Sequence, residues 1–348
     1  MKDPRSTDDA RLTRRAVLGG VLAAAAAAVS SPAMAQRMQT YMPPGAAPKA
    51  KGSLVFLDYD QEELDAAYDQ APWSPNQAAI GRRNAQKSAA VVARLGPPRQ
   101  FSYGPTAIER LDVYPARTPG APIHIFVHGG AWRGGSAASA AFMAETYVDA
   151  GAHFVALDFN NVIETNGNLM TMAEQVRRGV AWVYRNAAAF DGDPDRIHVT
   201  GFSSGAHLTG VVLTTDWTGA YGLPMDVVKG GVCCSGMYDL HPVSLSARRQ
   251  YVTFTPEVVE ALSSARHLDR LVAPVVVLHG TEETPEFQRQ NRDFAARVKA
   301  MGKPVTYLVG DGYNHFEMQE TIGNPYGLAG RAVLEQMRLG LASASNRP

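Results

Sequence analysis

The pentapeptide Gly-Phe-Ser-Ser-Gly at 201–205 is the feature that most constrains how this chain can fold. It follows a short apolar run at 196–200 with the composition of a buried strand, and it opens a stretch at 206–213 with the composition of a helix. Glycines flank a serine in such a turn because the backbone is strained and the helix must pack close to the strand. The pattern predicts that Ser203 is held above the sheet as a nucleophile, and an ordinary strand-helix turn is the alternative.

Short apolar runs and helix-like stretches alternate along the rest of the chain. Strands are predicted at 108–114, which alternates like an edge strand, and at 123–127, 153–157, 197–201, 231–234, 275–279 and 305–309. Helices are predicted at 60–71, 76–95, 137–150, 169–189, 204–214, 285–301 and 326–341. This alternation indicates a doubly wound, mostly parallel sheet flanked by helices. Together with the serine turn at 201–205, the alternation predicts the α/β-hydrolase fold in a single catalytic domain at 53–343, with the first two helices placed so that they could cover its active-site end.

The first residues predict an export signal rather than part of the fold. Arg14 and Arg15 precede an apolar, alanine-rich run, and Ala33–Ala35 supplies a small-residue cleavage site. The run is shorter than the ~20 residues that span a bilayer, so we expect cleavage rather than a membrane anchor. A twin-arginine signal at 1–35 and a flexible linker at 36–52 predict passage through the twin-arginine export machinery to the periplasm or the medium.

Charge and cysteine content exclude several classes of function. The 33 basic residues balance 33 acidic ones, so no overall field attracts nucleic acid or an anionic membrane. The two cysteines, Cys233 and Cys234, are neighbours, and a disulfide between neighbours is strained. Two thiols without a nearby histidine do not form a metal site. We interpret both cysteines as apolar filling of a buried strand and expect neither a metal nor an organic cofactor.

A serine nucleophile also needs donors that stabilise the oxyanion formed during acyl transfer. The loop His-Gly-Gly-Ala-Trp at 128–132 directly follows the strand at 123–127, and consecutive glycines let backbone N–H groups approach a carbonyl oxygen. The N–H of Ser204 would add a further donor at the positive end of a helix. We predict an oxyanion hole formed by Gly129, Gly130 and Ser204; an ordinary loop after a strand is the alternative.

The acid and the base of a catalytic triad follow the serine in this fold, with the histidine last. Of the nine histidines, His315 comes last and lies in a predicted loop after the final strand. We therefore predict that it accepts the proton of the serine. The acid should lie after the preceding strand, where Glu282 and Glu283 are both available, and spacing alone does not choose between them. Asp311 and Asp239 are weaker alternatives.

Together these motifs resemble the arylformamidase (kynurenine formamidase) branch of the α/β-hydrolases over most of the chain after Asp58. The segments that carry the resemblance are Glu62-Glu63-Leu64, Tyr68, Trp73-Ser74-Pro75, 128–132, 201–208, Asp216-Trp217, 235–240, 285–290 and 314–317. Members of that branch carry their acid in an Asp-Ser-Pro-Glu-Phe stretch, which 283–287 matches position for position. The resemblance therefore implies that Glu283, rather than Glu282, is the acid.

The chain departs from that branch at its glutamate acid, at Phe202, where a histidine is common, and at 158–161, which replaces a tyrosine and a different loop. The predicted export also separates it from cytoplasmic tryptophan breakdown. We therefore expect a serine hydrolase that cleaves small carboxylic esters or aryl amides, with N-formylkynurenine-like substrates as the alternative. A non-catalytic binding protein and a membrane-anchored lipase are the rival interpretations.

Four aromatic residues are predicted to line a pocket for an apolar or aromatic substrate: Trp132, Phe202, Tyr313 and Phe316. Each of them, taken singly, could equally be an ordinary core residue. The sequence contains no signal for a particular oligomeric state.

Overall fold

Strands and helices alternate through residues 37–340, the part of the chain that the computed structural model describes. The ten strands in this part are β1 Leu54–Phe56, β2 Tyr59–Asp60, β3 Arg99–Ser102, β4 Arg110–Tyr114, β5 Ala121–Val127, β6 His153–Leu157, β7 Gly192–Phe202, β8 Gly230–Cys234, β9 Val275–Gly280 and β10 Val305–Gly310. Its eleven α-helices are α1 Gln61–Ala67, α2 Gln77–Leu95, α3 Ala144–Asp149, α4 Leu169–Asn186, α5 Ser204–Leu213, α6 Trp217–Tyr221, α7 Leu240–Leu245, α8 Pro256–Leu262, α9 Pro285–Ala300, α10 His315–Ile322 and α11 Leu328–Gln336.

Eight of the strands form one sheet in the order β10-β9-β8-β7-β5-β6-β4-β3. Neighbours from β10 to β6 pair in parallel, whereas β4 is antiparallel to β6 and β3 is antiparallel to β4. The strands β1 and β2 form a separate antiparallel pair. The predicted α/β-hydrolase fold, a mostly parallel sheet flanked by helices, is therefore confirmed.

The strand predicted at 108–114 does not lie at the edge of the sheet, so that part of the prediction was wrong. A further strand, β3, covers it and pairs Arg99 with Val113 and Ser102 with Arg110. The sequence of β3 is Arg-Gln-Phe-Ser, which is too polar and too short to give an apolar strand pattern. Its position depends on pairing with β4 rather than on its own composition.

Both faces of the sheet are covered, which explains why the strands consist of continuous apolar runs. Successive residues of a strand point to opposite faces, and accordingly Ile125 of β5 belongs to one core and Phe126 to the other. The first core includes residues of α4, α5 and α9, and the second includes residues of α2, α3, α10 and α11. The same alternation places Cys233 and Cys234 in different cores, so these two buried thiols remain free.

Several helix boundaries differ from the prediction. The stretch at 137–150 divides into a 3-10 turn at Ala138–Met143 and the helix α3. The last helix, predicted at 326–341, is shorter and covers Leu328–Gln336 in α11. The helices α6, α7 and α8 were not predicted, because segments of 5, 6 and 7 residues are too short to show a helical period. His315 begins α10 rather than lying in a loop.

The segment before the first helix is held by hydrogen bonds, although we predicted a flexible linker at 36–52. The backbone N–H of Thr40 donates to Glu63 Oε1 at 2.5 Å, and that of Gly52 donates to Asp60 Oδ2 at 2.8 Å. Asp60 and Glu63 also form the capping box of α1. The acidic start of the helix thus binds the preceding chain, an effect that a proline- and alanine-rich composition does not reveal.

The predicted twin-arginine signal at 1–35 lies outside the described residues, as does the end of the predicted domain at 341–343. The helices predicted at 60–71 and 76–95 correspond to α1 and α2. Within residues 37–340, every helix is too short or too polar to span a bilayer.

Candidate active site

The carboxyl ends of neighbouring parallel strands meet at one edge of the sheet, and the predicted site residues lie there. The glycine loop follows β5, Ser203 follows β7, Glu283 follows β9, and His315 comes after β10. β5 and β7 are adjacent in the sheet although β6 lies between them in the chain. Such a reversal of strand order creates the crevice in which open α/β sheets bind ligands.

The turn that carries Ser203 is strained and closely packed. Ser203 has φ 57° and ψ −124°, a backbone conformation that residues other than glycine rarely adopt. A Cβ atom on Gly201 would lie 2.2 Å from the carbonyl oxygen of Gly205, and one on Gly205 would lie 2.1 Å from that of Val127. Both glycines are therefore required by close backbone approach, and the strain at the serine is maintained by the packing of α5 against the sheet.

Three predicted side chains form one chain of hydrogen bonds. The Oγ of Ser203 lies 2.9 Å from Nε2 of His315, and Nδ1 of His315 lies 2.8 Å from Oε2 of Glu283. An ionised carboxylate only accepts hydrogen bonds, so Nδ1 carries the proton and Nε2 is free to accept the serine proton. All three residues are buried. The arrangement has the geometry that activates a serine for nucleophilic attack.

The structure distinguishes the candidate acids by burial and contact. Glu283 is fully buried against His315, whereas Glu282 and Asp311 are exposed to solvent. Asp239 instead caps α7 and pairs with an arginine on the same surface. Among the four carboxylates considered from the sequence, Glu283 is the one that is hydrogen-bonded to the histidine.

Two hydrogen-bond donors that no sequence motif predicts hold the acid in place. The Oγ of Ser235 donates to Glu283 Oε1 at 2.5 Å, and the backbone N–H of Gly280 donates to the same oxygen at 2.8 Å. Ser235 directly follows the neighbouring strand β8 and has φ 58°, an unusual value for a serine. Its Ser-Gly-Met-Tyr-Asp-Leu segment was noted in the sequence, but the contact depends on β8 lying beside β9. One carboxylate oxygen is therefore fixed by these donors while the other faces His315.

The glycine loop brings backbone N–H groups to Ser203. A Cβ atom on Gly129 would lie 3.0 Å from the Cβ of Ser203, so the loop can pass this close only without a side chain. Gly130 and Ala131 have φ values of 113° and 55°. Within residues 37–340, the backbone N–H groups of Gly129, Gly130, Ala131 and Ser204 donate no hydrogen bond. These groups can stabilise an oxyanion, and Ala131 is an addition to the predicted set.

A buried histidine, His128, stabilises the glycine loop. The Nδ1–H of His128 donates to the carbonyl of Gly129 at 2.9 Å, and its ring stacks on Phe159 with centroids 4.2 Å apart. Burial lowers the pKa of His128 to about 4, so the ring is neutral near pH 7. His128 therefore stabilises the loop as a neutral hydrogen-bond donor.

Two predicted pocket residues, Trp132 and Tyr313, are not among the residues that line the cavity, so these assignments are corrected. Trp132 is 1% exposed, and its indole N–H donates to Nδ1 of His207 at 3.2 Å. Nε2 of His207 then donates to the carbonyl of Leu262 at 2.9 Å. Tyr313 is exposed on the loop between β10 and α10, where its carbonyl accepts the backbone N–H of Glu282 in the acid loop at 3.0 Å. Aromatic character alone did not separate these supporting residues from those that face the cavity.

A cavity of about 480 Å³ opens over Ser203 and His315. Phe202 and Phe316, two of the predicted substrate-binding residues, line it and pack against the ring of His315, with centroids 4.7 and 5.4 Å away. Much of the remaining wall is polar; it includes Asp65, Tyr68, Asp69, Gln70, Arg133, Arg248 and Gln250. The pocket is therefore less apolar than its four predicted aromatic residues indicate.

The end of α1 and the residues after it form part of this wall and are tied to the acid loop. The hydroxyl of Tyr68 donates to Glu286 Oε2 at 2.8 Å, and the side-chain amide of Gln70 donates to Thr284 Oγ1 at 3.2 Å. Thr284 Oγ1 in turn donates to the carbonyl of Ala67 at 2.6 Å. The first helix thus reaches the active-site end, and its position is coupled to the segment that carries Glu283.

The site contains carboxylate and imidazole groups but no arrangement suited to a metal. In the described part of the chain, no three or more His, Cys, Asp or Glu side chains are grouped so that they could hold a metal ion. His315 and Glu283 are bonded to each other and to Ser203. Their chemistry is that of proton transfer between nitrogen and oxygen atoms.

Comparison with known proteins agrees with this geometry. The BD-FAE family model matches residues 111–220. Kynurenine formamidase from Danio rerio is 30% identical over 278 residues, which cover 75% of this chain and 91% of the relative. The chain belongs to the kynurenine formamidase family. It is accordingly a hydrolase of the α/β-hydrolase superfamily.

Esterases are also similar to this family member. Isoprenylcysteine alpha-carbonyl methylesterase from Arabidopsis thaliana is 24% identical over 63% of this chain and 56% of its own length. The crystal structure of a putative thioesterase from Silicibacter sp. tm1040 superposes with a TM-score of 0.66 at 22% identity, covering 76% of this chain and 96% of the other. The structural likeness supports the fold.

Proposed function

We propose that the protein is a serine hydrolase that cleaves carboxylic esters or aryl amides of small molecules through an acyl-enzyme. Ser203 is the nucleophile, His315 the general base and acid, and Glu283 the carboxylate that orients the histidine. The observation that carries this proposal is the unbroken hydrogen-bond chain from Glu283 through His315 to Ser203. Relatives that are named as a formamidase and a methylesterase support it.

In the first step, Ser203 Oγ forms a bond to the substrate carbonyl carbon while its proton moves to Nε2 of His315. The π electrons of the carbonyl move onto its oxygen, which is stabilised by the free N–H groups of the glycine loop, Gly129 to Ala131, and of Ser204. Glu283 stabilises the imidazolium that forms. The bond to the leaving alcohol or amine then breaks, and that group takes the proton from His315.

In the second step, water attacks the acyl-enzyme in the same way. The water oxygen bonds to the acyl carbon while His315 accepts a proton from the water. The ester bond to Ser203 then breaks. Ser203 Oγ recovers its proton from His315, and the carboxylic acid leaves. The residues return to their starting protonation states, so the cycle balances without a further reactant.

A substrate panel tests the proposed activity. We expect purified protein to hydrolyse at least one class among 4-nitrophenyl esters of graded chain length, aryl formamides and acetanilides. The matched control is Ser203→Ala, which retains the cavity but lacks the nucleophile. Turnover by Ser203→Ala would contradict the proposal. So would a folded wild-type protein that hydrolyses none of the three substrate classes.

Hydrolysis of aryl formamides is the second candidate. The 30% identity to kynurenine formamidase from Danio rerio favours it. The formyl group is the smallest acyl group, so this candidate predicts that kcat/KM falls steeply as the acyl chain grows from formyl to butyryl. A general esterase would instead accept the longer acyl chains.

We also propose that the protein acts outside the cytoplasm after export by the twin-arginine machinery. The paired Arg14 and Arg15, the apolar run and Ala33–Ala35 support this address. Mass spectrometry of the exported protein should find an N-terminus at Gln36. The proposal would be contradicted if the wild-type protein stayed in the cytoplasm and the double variant Arg14→Lys, Arg15→Lys had the same location.

A further inference from the structure

A buried arginine lies in the wall of the candidate active site. Arg248 lines the same cavity as Ser203 and is 7% exposed. Its Nη2 donates to the carbonyl of Tyr68 at 2.8 Å. The other guanidinium nitrogens, Nε and Nη1, are buried and donate no hydrogen bond within the described residues. Arg248 therefore has unused hydrogen-bonding capacity beside the nucleophile.

In the described part of the chain, this charge has no carboxylate partner. The ion pairs found in residues 37–340 do not include Arg248. Its guanidinium carbon lies 5.3 Å from the ring centre of Trp132 and 6.0 Å from that of Tyr68. Such ring contacts stabilise a cation less than burial without an ionic partner destabilises it. The rings therefore compensate the buried charge only in part.

The other charged groups at the cavity do not replace the missing partner. Asp69 and Arg133 are exposed, and solvent and salt screen their charges. The side chain of Asp65 accepts a hydrogen bond from Gln61 at 2.9 Å and forms no ion pair with Arg248 within the described residues. Of the charged side chains that line the cavity, Arg248 is therefore the one whose charge is least screened by water.

Arg248 is also held in place. It belongs to a 3-10 turn, Ala247–Gln250, that is capped by Ser246, whose Oγ accepts the backbone N–H of Arg248 at 3.3 Å. Its bond to Tyr68 joins this turn to the end of α1. A fixed cation in a water-poor wall selects for a ligand with an opposite charge.

We propose that the preferred substrate carries a carboxylate, which pairs with Arg248 while the scissile carbonyl lies at Ser203. This inference rests on the proposed hydrolase function and adds a substrate class to it. The carboxylate lies either on the acyl part or on the leaving group, and both positions supply the same counter-ion. The buried guanidinium thus favours an anionic substrate, whereas the aromatic residues in the sequence predict an apolar one.

Two matched pairs of esters test the proposal. For the acyl side, 4-nitrophenyl hydrogen glutarate is compared with 4-nitrophenyl pentanoate, in which a methyl group replaces the carboxylate. For the leaving group, 4-acetoxybenzoate is compared with 4-methylphenyl acetate. We expect wild-type protein to prefer the charged ester of at least one pair by roughly 10- to 100-fold in kcat/KM, the range of a charge-assisted hydrogen bond.

The variants Arg248→Gln and Arg249→Gln remove the same charge from neighbouring positions, one buried and one exposed. The first should reduce the charged-to-neutral ratio of kcat/KM at least tenfold, and the second should keep the wild-type ratio. Arg248→Lys should restore part of the ratio. A wild-type protein that does not prefer either charged ester, or an Arg248→Gln variant that loses activity equally on both esters, would overturn the proposal.

A binding measurement covers the case in which Arg248→Gln fails to fold. Calorimetric titration of Ser203→Ala with benzoate and with benzamide needs neither turnover nor a change at Arg248. We expect benzoate to bind roughly tenfold more tightly, and equal affinities would overturn the inference. Hydrolysis of neutral esters without any preference for charge would leave the hydrolase function intact, so the two proposals can fail separately.

Discussion

Two buried histidines, His315 and His207, lie near the nucleophile and use both ring nitrogens in different ways. His315 bridges Ser203 and the carboxylate of Glu283. His207 bridges the indole N–H of Trp132 and the carbonyl of Leu262, and burial lowers its pKa to about 4.

The difference shows that the partners, and not burial alone, decide what a histidine can do. A carboxylate on Nδ1 stabilises the imidazolium, so His315 can accept and return a proton. The indole N–H and the carbonyl stabilise one neutral tautomer of His207, which therefore acts as a structural link beneath the glycine loop. The predictions below test this contrast.

The largest effect is expected at His315. His315→Ala removes the base and should lower kcat by on the order of 10⁶-fold, about as much as removing a nucleophile, because triad members act as a unit. Steady-state kinetics on the best ester of the panel would measure it. A double variant with Ser203→Ala should be no slower than either single variant, and additive losses would contradict the shared role.

A smaller loss is expected at the acid. Glu283→Gln keeps the shape of the side chain but cannot stabilise the imidazolium, so kcat should fall by roughly 10³- to 10⁴-fold. Glu282→Gln is the matched control at the adjacent exposed position and should stay within about twofold of wild type. The opposite ranking would show that the His315–Glu283 pair is not the working one.

Ser235 offers an intermediate test, because it acts only through the acid. Ser235→Ala removes the hydrogen bond to Glu283 Oε1 and leaves that of Gly280, so we expect kcat to fall by roughly 10- to 100-fold with little change in KM. Ser235→Thr retains the hydroxyl and should recover part of the rate. A change confined to KM would contradict a positioning role.

The smallest effect on rate is expected at His207, where stability should respond instead. The pKa of His207 is about 4 in the folded protein against about 6.5 when unfolded, so the unfolded state binds more protons between these values. Its contribution to stability is therefore complete above about pH 6.5 and is lost as the pH falls toward 4. At pH 5 the loss is about 2 kcal/mol.

His207→Gln removes this titration and should reduce the fall in unfolding free energy between pH 7.5 and 5 by about 2 kcal/mol, as measured by urea denaturation. Its kcat should stay within about tenfold of wild type. His241→Gln, at an exposed position, is the control and should retain the wild-type fall. An equal fall in all three proteins would show that His207 is not buried in its neutral form.

The sequence was informative where function depends on local spacing. The glycines around Ser203 and the late position of His315 follow from the chain order of the fold, and both residues meet in the structure. Glu283 could be separated from Glu282 only by resemblance to a family, because both lie in one short loop. Burial distinguishes them directly in the structure.

Residues whose roles arise from long-range packing could not be predicted. Ser235 reaches Glu283 because two strands are adjacent, and Arg248 meets Tyr68 across 180 positions of the chain. The aromatic character of Trp132 predicts a pocket residue, yet the backbone at Ala131 and Trp132 is left-handed and the ring of Trp132 is buried. Sequence spacing does not contain this three-dimensional information.

Covalent labelling tests most directly whether Ser203 is the activated nucleophile. Folded wild-type protein is treated with a fluorophosphonate probe, and the adduct is measured by intact mass and located by peptide mapping. The account predicts one adduct on Ser203, lost in Ser203→Ala and strongly slowed in His315→Ala. Failure of the folded wild-type protein to react, or an adduct on another serine, would contradict it.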